Sequence, residues 1–147
     1  MISLTYAQNK FEHGRCRDVP MKSGEIKYTL DTGTVRPHHP MTSFVVSSKN
    51  GDVYSMADGK VVGVTDVNKY ETVGVTFNGK DTLLLYLMIT KAAVKAGDIL
   101  KKGDLIGTGT PNEKTGKTES AILVKVYAKA YTMPNKEVMA FIDRMNN

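Results

Sequence analysis

Three histidines, His13, His38 and His39, and one cysteine, Cys16, are the side chains of this 147-residue chain best suited to metal binding, proton transfer near neutral pH or nucleophilic attack. The segment His13-Gly14-Arg15-Cys16-Arg17-Asp18 gathers three potential donors, but their spacing matches no regular zinc module. Cys16 with His13 as its base makes one candidate nucleophile pair, although a lone thiol without a local signature is usually structural. His38 and His39 lie between Pro37 and Pro40, and a residue before proline is pushed out of the helical region, so an extended, exposed segment is expected. Adjacent side chains on an extended chain point to opposite faces, which keeps the two imidazoles from sharing one ion. Gly116-Lys117-Thr118 has the form of the end of a phosphate-binding loop, yet the first glycine of that motif would have to stand where Pro111 stands. The nucleotide reading is rejected, and no cofactor is expected.

The elements that would position such groups are β-strands. From Thr42 onward, β-branched and aromatic runs alternate with turn signals: Phe44-Val45-Val46 before Asn50-Gly51, Lys60-Val61-Val62-Gly63-Val64 before Asp66, and Thr72 to Phe77 before Asn78-Gly79. The last of these is a strong hairpin dipeptide, because both central positions of a type I′ turn need positive φ. Thr82 to Ile89 is almost continuously apolar, as expected of a strand buried on both faces. Ala96-Gly97-Asp98-Ile99-Leu100 is then repeated as Lys102-Gly103-Asp104-Leu105-Ile106, a Gly-Asp-apolar-apolar unit that predicts two successive turn-to-strand elements. Thr108 to Glu119, the longest polar stretch, reads as a mobile hairpin loop over a cleft mouth. Near the C-terminus, Val138, Phe141, Ile142 and Met145 share one helical face.

The reading is a single all-β domain over 1–147, a compact antiparallel β-sandwich or barrel with a short C-terminal helix. It divides into an irregular N-terminal extension (1–40), a β core (41–130) and a helix (134–146). A composition of 41% hydrophobic and 24% charged residues is ordinary for a soluble globular protein, and one cysteine excludes an internal disulfide framework. No signal peptide or bilayer-spanning run is seen, which implies a cytoplasmic protein or a phage virion or lysis component. The net charge of +5 favours anionic surfaces, but Lys and Arg are scattered and no run exceeds Lys101-Lys102. No nucleic-acid partner is expected.

Two stretches resemble the lysostaphin-type (LytM-like) zinc metallopeptidases of bacterial cell-wall turnover, whose fold is the duplicated hybrid motif. Tyr54 to Val62 is similar to the strand that enters the core of that family. Thr82 to Gly107 matches without a gap the family form Tyr-Ala-His-Leu, Val-x-x-Gly-Asp and Lys-Lys-Gly-x-x-Ile-Gly, here Tyr86-Leu87-Met88-Ile89, Val94 to Asp98 and Lys101 to Gly107. Related Gly-Asp texts occur in carrier domains and sugar-phosphotransferase IIA proteins, but this chain lacks the Met-Lys-Met hairpin of the first and the strand histidines of the second. The resemblance implies a zinc held by two His and one Asp, with an open position for water. Carried onto this chain, the His-x-x-x-Asp pair falls at Met41 and Val45, the His of Tyr-Ala-His-Leu at Met88, and the closing His-x-His at Ala121 and Leu123, the latter the ligand. All are apolar or small. The expectation is therefore a non-catalytic, peptidase-like binding or structural module without a metal. Its cleft, flanked by Tyr54 and Tyr86, would take peptidoglycan or a protein partner. The alternatives are a hydrolase in which His38 or His39 reaches the zinc, and a transport or carrier-type domain.

Overall fold

The structure, a computed structural model, describes residues 15–31, 42–77, 82–126, 140 and 142–146. In chain order the strands are β1 (Arg15–Cys16), β2 (Gly24–Asp31), β3 (Thr42–Ser48), β4 (Asp52–Tyr54), β5 (Gly59–Val67) and β6 (Tyr70–Phe77). They are followed by β7 (Thr82–Ile89), β8 (Lys91–Ala92), β9 (Ile99–Leu100), β10 (Leu105–Thr108), β11 (Thr110–Asn112) and β12 (Lys117–Val126). The large sheet runs β1-β2-β3-β12-β7-β6-β5-β9, with β11 hydrogen-bonded to β12, and β4-β10-β8 forms a small sheet. All pairings are antiparallel. The large sheet is open at β1 and β9, so of the sandwich and the barrel it is the sandwich that forms.

Alternation along the strands decides what the sheet buries. Phe44, Ile122, Tyr86, Val73 and Val64 stand in register across β3, β12, β7, β6 and β5, and Val124, Leu84, Val75 and Val61 make a second such row. Both rows pack against Val53 and Ile106 of the small sheet and against Met21, Met56, Leu100 and Ile142, forming one core. Buried side chains of this size each contribute about 1.5–3 kcal/mol relative to exposure.

The Gly-Asp repeat folds as two copies of one turn. Asp98 N–H donates to Lys95 O (3.1 Å) and Asp104 N–H to Lys101 O (2.9 Å), with Gly97 at φ 98° and Gly103 at φ 93°, the pattern of a type II turn. In each, the Asp carboxylate closes the turn by accepting from the first residue's N–H, Lys95 at 3.0 Å and Lys101 at 2.8 Å. Each turn docks on a strand end by a reciprocal pair of bonds, the first with Val61 and the second with Ser55. The second turn delivers the chain into β10, where Gly107 has no room for a side chain: a Cβ would lie 2.4 Å from Lys91 O.

Two differences from the sequence expectation concern the edges. Residues 24–31, grouped with an irregular extension, form the eight-residue β2, because Glu25 to Leu30 finds the free edge of β3. Thr110 to Glu119 is a β11–β12 hairpin in ladder register from Thr110↔Glu119 to Asn112↔Lys117. Of the expected helix, residues 140 and 142–145 are helical and Ile142 is fully buried, while Val138 and Phe141 lie outside the described residues. Its last turn is tied down by Asn146, whose Oδ1 accepts from the N–H groups of Arg17, Asp18 and Val19 and whose Nδ2 donates to Val19 O and Ile142 O. The Asn78-Gly79 turn also lies outside the described residues, but the strands that it joins pair as Phe77↔Thr82. Among the described residues no helix is long and apolar enough to cross a membrane.

Candidate functional site

The face of the large sheet that points away from the small sheet carries the residues opposite in alternation to the core rows. Val45, Ala121 and Leu87 stand in register across β3, β12 and β7, and Leu123, Leu85 and Gly74 form the next row across β12, β7 and β6. Gly74 leaves a shallow floor between Leu85 and Val62, whose methyl groups lie 3.2 Å from where its Cβ would be. Val45 and Ala121 are buried, Leu85, Leu87 and Leu123 half-buried, and Val62 is exposed.

Met88 lies beside this face at a backbone irregularity. Glu71 pairs with Ile89 but Val73 with Tyr86, so β7 spends one more residue than β6 over this interval. Tyr86 and Ile89 both reach the core, and Leu87 and Met88 are the residues between them. Met88 takes up the excess with φ 62°, a left-handed conformation that an unbranched residue adopts only at some cost. Its carbonyl accepts from Thr110 Oγ1 at 2.7 Å, which joins the bulge to the β11–β12 hairpin.

The positions suggested by the sequence therefore separate into three groups. Val45, Ala121 and Leu123 share the outer face, and Met88 lies at the bulge next to Leu87 of that face. Met41 lies outside the described residues, as do His13, His38 and His39. Tyr54 and Tyr86 do not flank this face. Tyr86 points into the core, is wholly buried, and its Oη accepts from Met56 N–H at 2.9 Å. Burial pushes its phenol up to about 12, so it is a structural hydroxyl. Tyr54 sits in the small sheet, packed against the core, with Lys22 Nζ 5.3 Å from its ring centroid and its hydroxyl 3.4 Å from Asp52 Oδ2. The sequence reading overlooked Leu85, Leu87 and Val62; the apolar run from Thr82 to Ile89 was the signal for the two leucines, since β7 must present apolar side chains to both faces.

A zinc ion does not fit the described part of this face. Val45, Ala121 and Leu123 carry no donor atom, and the Met88 thioether is a soft ligand suited to Cu(I). Among the described residues no three His, Cys, Asp or Glu side chains cluster as a metal site. The candidate nucleophile Cys16 is buried at 2% exposure, and burial together with the Asp143 charge lifts its thiol to about 12, which keeps it protonated and unreactive.

Comparison with known proteins bears on the family and the fold. A model of peptidase family M23 matches residues 38–133. Among solved structures, the solution structure of lysostaphin aligns with a TM-score of 0.51 at 21% identity, over 71% of this chain and 43% of that one. The likeness is one of fold, and the chain spans less than half the length of the lysostaphin chain. No curated protein matches the chain.

Proposed function

Because the chain belongs to peptidase family M23, whose model spans residues 38–133, we propose that it is a non-catalytic member of that family, a binding or structural module acting on the bacterial cell wall. The single observation that carries this reading is the row Val45, Ala121 and Leu87 with Leu123 beside it. Of the positions that would hold zinc and its proton-transfer partner by resemblance, Val45, Ala121 and Leu123 lie together on one face and are apolar. Hydrolysis of a peptide bond by this route needs a metal-bound water at lowered pKa and a base beside it. Val45, Ala121 and Leu123 have no lone pairs to supply either, and a thioether such as that of Met88 is a soft donor and no base. The face instead offers apolar contact, and its occupant is peptidoglycan, through the hydrophobic parts of its peptide stems, or a protein of the cell-wall machinery.

Purified murein provides the test. The expected result is that the protein sediments with murein sacculi while releasing no soluble fragments, with or without added Zn²⁺. Release of fragments that disappears on replacing His38 and His39 by Ala would establish the hydrolase reading instead. Absence of both sedimentation and release would move the occupant from peptidoglycan to a protein.

A further inference from the structure

At the β1–β2 margin of the large sheet two depressions adjoin, of about 640 and 240 Å³, sharing Arg15 and Ser23 in their walls. The smaller one concentrates charge. Arg15, Lys22, Lys49 and Lys117 line it against one carboxylate, Glu25. Lys117 is the cation that Glu25 occupies, at 3.8 Å. Arg17, in the larger depression, is taken by Asp18 at 2.8 Å, and Asp143 faces that depression beside Cys16. Arg15, Lys22 and Lys49 remain: all three are exposed, and none is paired with a carboxylate among the described residues. Lys22 rests on the Tyr54 ring instead.

These three cations come from three separate stretches of chain, and the hydrogen bonds of a buried serine hold two of those stretches together. Ser48, at 2% exposure, donates from Oγ to Lys22 O and accepts from Asn50 N–H at 3.1 Å, so one hydroxyl fixes both the loop carrying Lys22 and the turn carrying Lys49. Arg15 is placed by its register with Glu25, and Glu25 in turn by its register with Ser47. Three free positive charges around a concave wall focus potential on an anion, and guanidinium and ammonium donors suit tetrahedral oxyanions.

The uncharged lining narrows the class. Ser23, Ser47 and Asn50 present hydroxyl and amide groups, and among the described residues neither depression has an aromatic side chain in its wall. Single-stranded nucleic acids are held by aromatic platforms on which bases stack, and here the Tyr54 ring is covered by Lys22. A phosphodiester chain with hydroxylated rather than aromatic units between its phosphates fits both the charge and the lining. We propose that this cleft, through Arg15, Lys22 and Lys49, binds the phosphate groups of a flexible polyol-phosphate polymer. The proposal stands apart from the apolar outer face and holds whether or not that face binds peptidoglycan.

The test is a titration of the full chain with poly(glycerol phosphate) at several salt concentrations. A combined Arg15→Glu, Lys22→Glu, Lys49→Glu variant is compared with a combined Lys69→Glu, Lys95→Glu, Lys101→Glu variant. The second set changes net charge equally, is exposed, and lies at the β5–β9 end of the sheet. The cleft variant is expected to bind about tenfold more weakly, with the slope of log affinity against log salt reduced by about 2, while the control changes less than about threefold. Equal loss in both variants would overturn the proposal, because binding would then follow net charge. So would binding of a single-stranded oligonucleotide of the same phosphate number as tightly as the polymer, or no binding of the unaltered chain at low salt. Thermal melting monitors folding; should the Glu variant fail to fold, the Arg15→Gln, Lys22→Gln, Lys49→Gln variant is expected to weaken binding in the same direction.

Discussion

The inner and outer faces of the large sheet are built from the same strands, often from neighbouring residues, yet they are constrained differently. On the inner face Ile122 and Tyr86 are fully buried, and the Tyr86 phenol has its partner in Met56 N–H. On the outer face the next residues along, Leu123 and Leu87, are half-buried. The backbone there has special features, the φ 62° at Met88 and the glycine at position 74, while Val45, Ala121, Leu87 and Leu123 carry no polar atoms in their side chains. The framework that would position a reaction centre is thus maintained by the core and the turns.

The sharpest way to break this comparison is to truncate the two neighbours in β12. Ile122→Ala should cost about 2–5 kcal/mol, the range for opening a cavity in a closed core, as measured by urea unfolding. An equally small loss at Ile122 and Leu123 would mean that the two faces do not differ.

The buried acids of the inner face give the next effect. Burial raises the Tyr86 phenol from 10.0 and the Cys16 thiol from 9.0, both to about 12, so the folded state holds these protons more tightly than the unfolded chain. A raised folded-state pKa contributes stability that is fully present below the unfolded value and is lost as pH rises through the folded one. Stability should therefore fall between pH 9 and 12. Tyr86→Phe should flatten the portion above pH 10 while costing about 1–3 kcal/mol at neutral pH, because Met56 N–H loses its acceptor. An unchanged alkaline profile in that variant would place the sensitive group elsewhere.

Smaller still are the twin turns. Asp98→Ala and Asp104→Ala each remove one carboxylate-to-backbone bond of the same construction, so each should cost about 1 kcal/mol, and nearly the same amount. A large inequality would show that the repeat in sequence is not a repeat in energy. The least effect is expected at the outer face, where Leu123→Ala should lower stability by about 1 kcal/mol or less. That loss should come with weaker sedimentation on murein.

What the sequence disclosed follows from which interactions are local. The Gly-Asp repeat announced its twin turns because the glycine's positive φ and the carboxylate's return to the backbone are both settled within four residues. The periodicity of the strands likewise exposed the all-β architecture. Pairing of β12 between β3 and β7 left no local trace, since it joins residues far apart in the chain, and so the rows that place Val45 beside Ala121 emerged only with the fold. Tyr86 misled because an aromatic hydroxyl suits a cleft rim as well as a core, and only its bond to Met56 N–H decides between them. The extra residue at Met88 and the cleft assembled from Arg15, Lys22 and Lys49 were hidden for the same reason: each is a product of register.

The central claim, that an M23 framework is maintained here without its metal chemistry, is tested most directly by the zinc content of the full chain. The protein is equilibrated with Zn²⁺, freed of unbound metal and measured by plasma emission, beside a variant with His38 and His39 replaced by Ala. The account predicts well below one zinc per chain and no difference between the two proteins. One zinc per chain, lost in the variant, would contradict it.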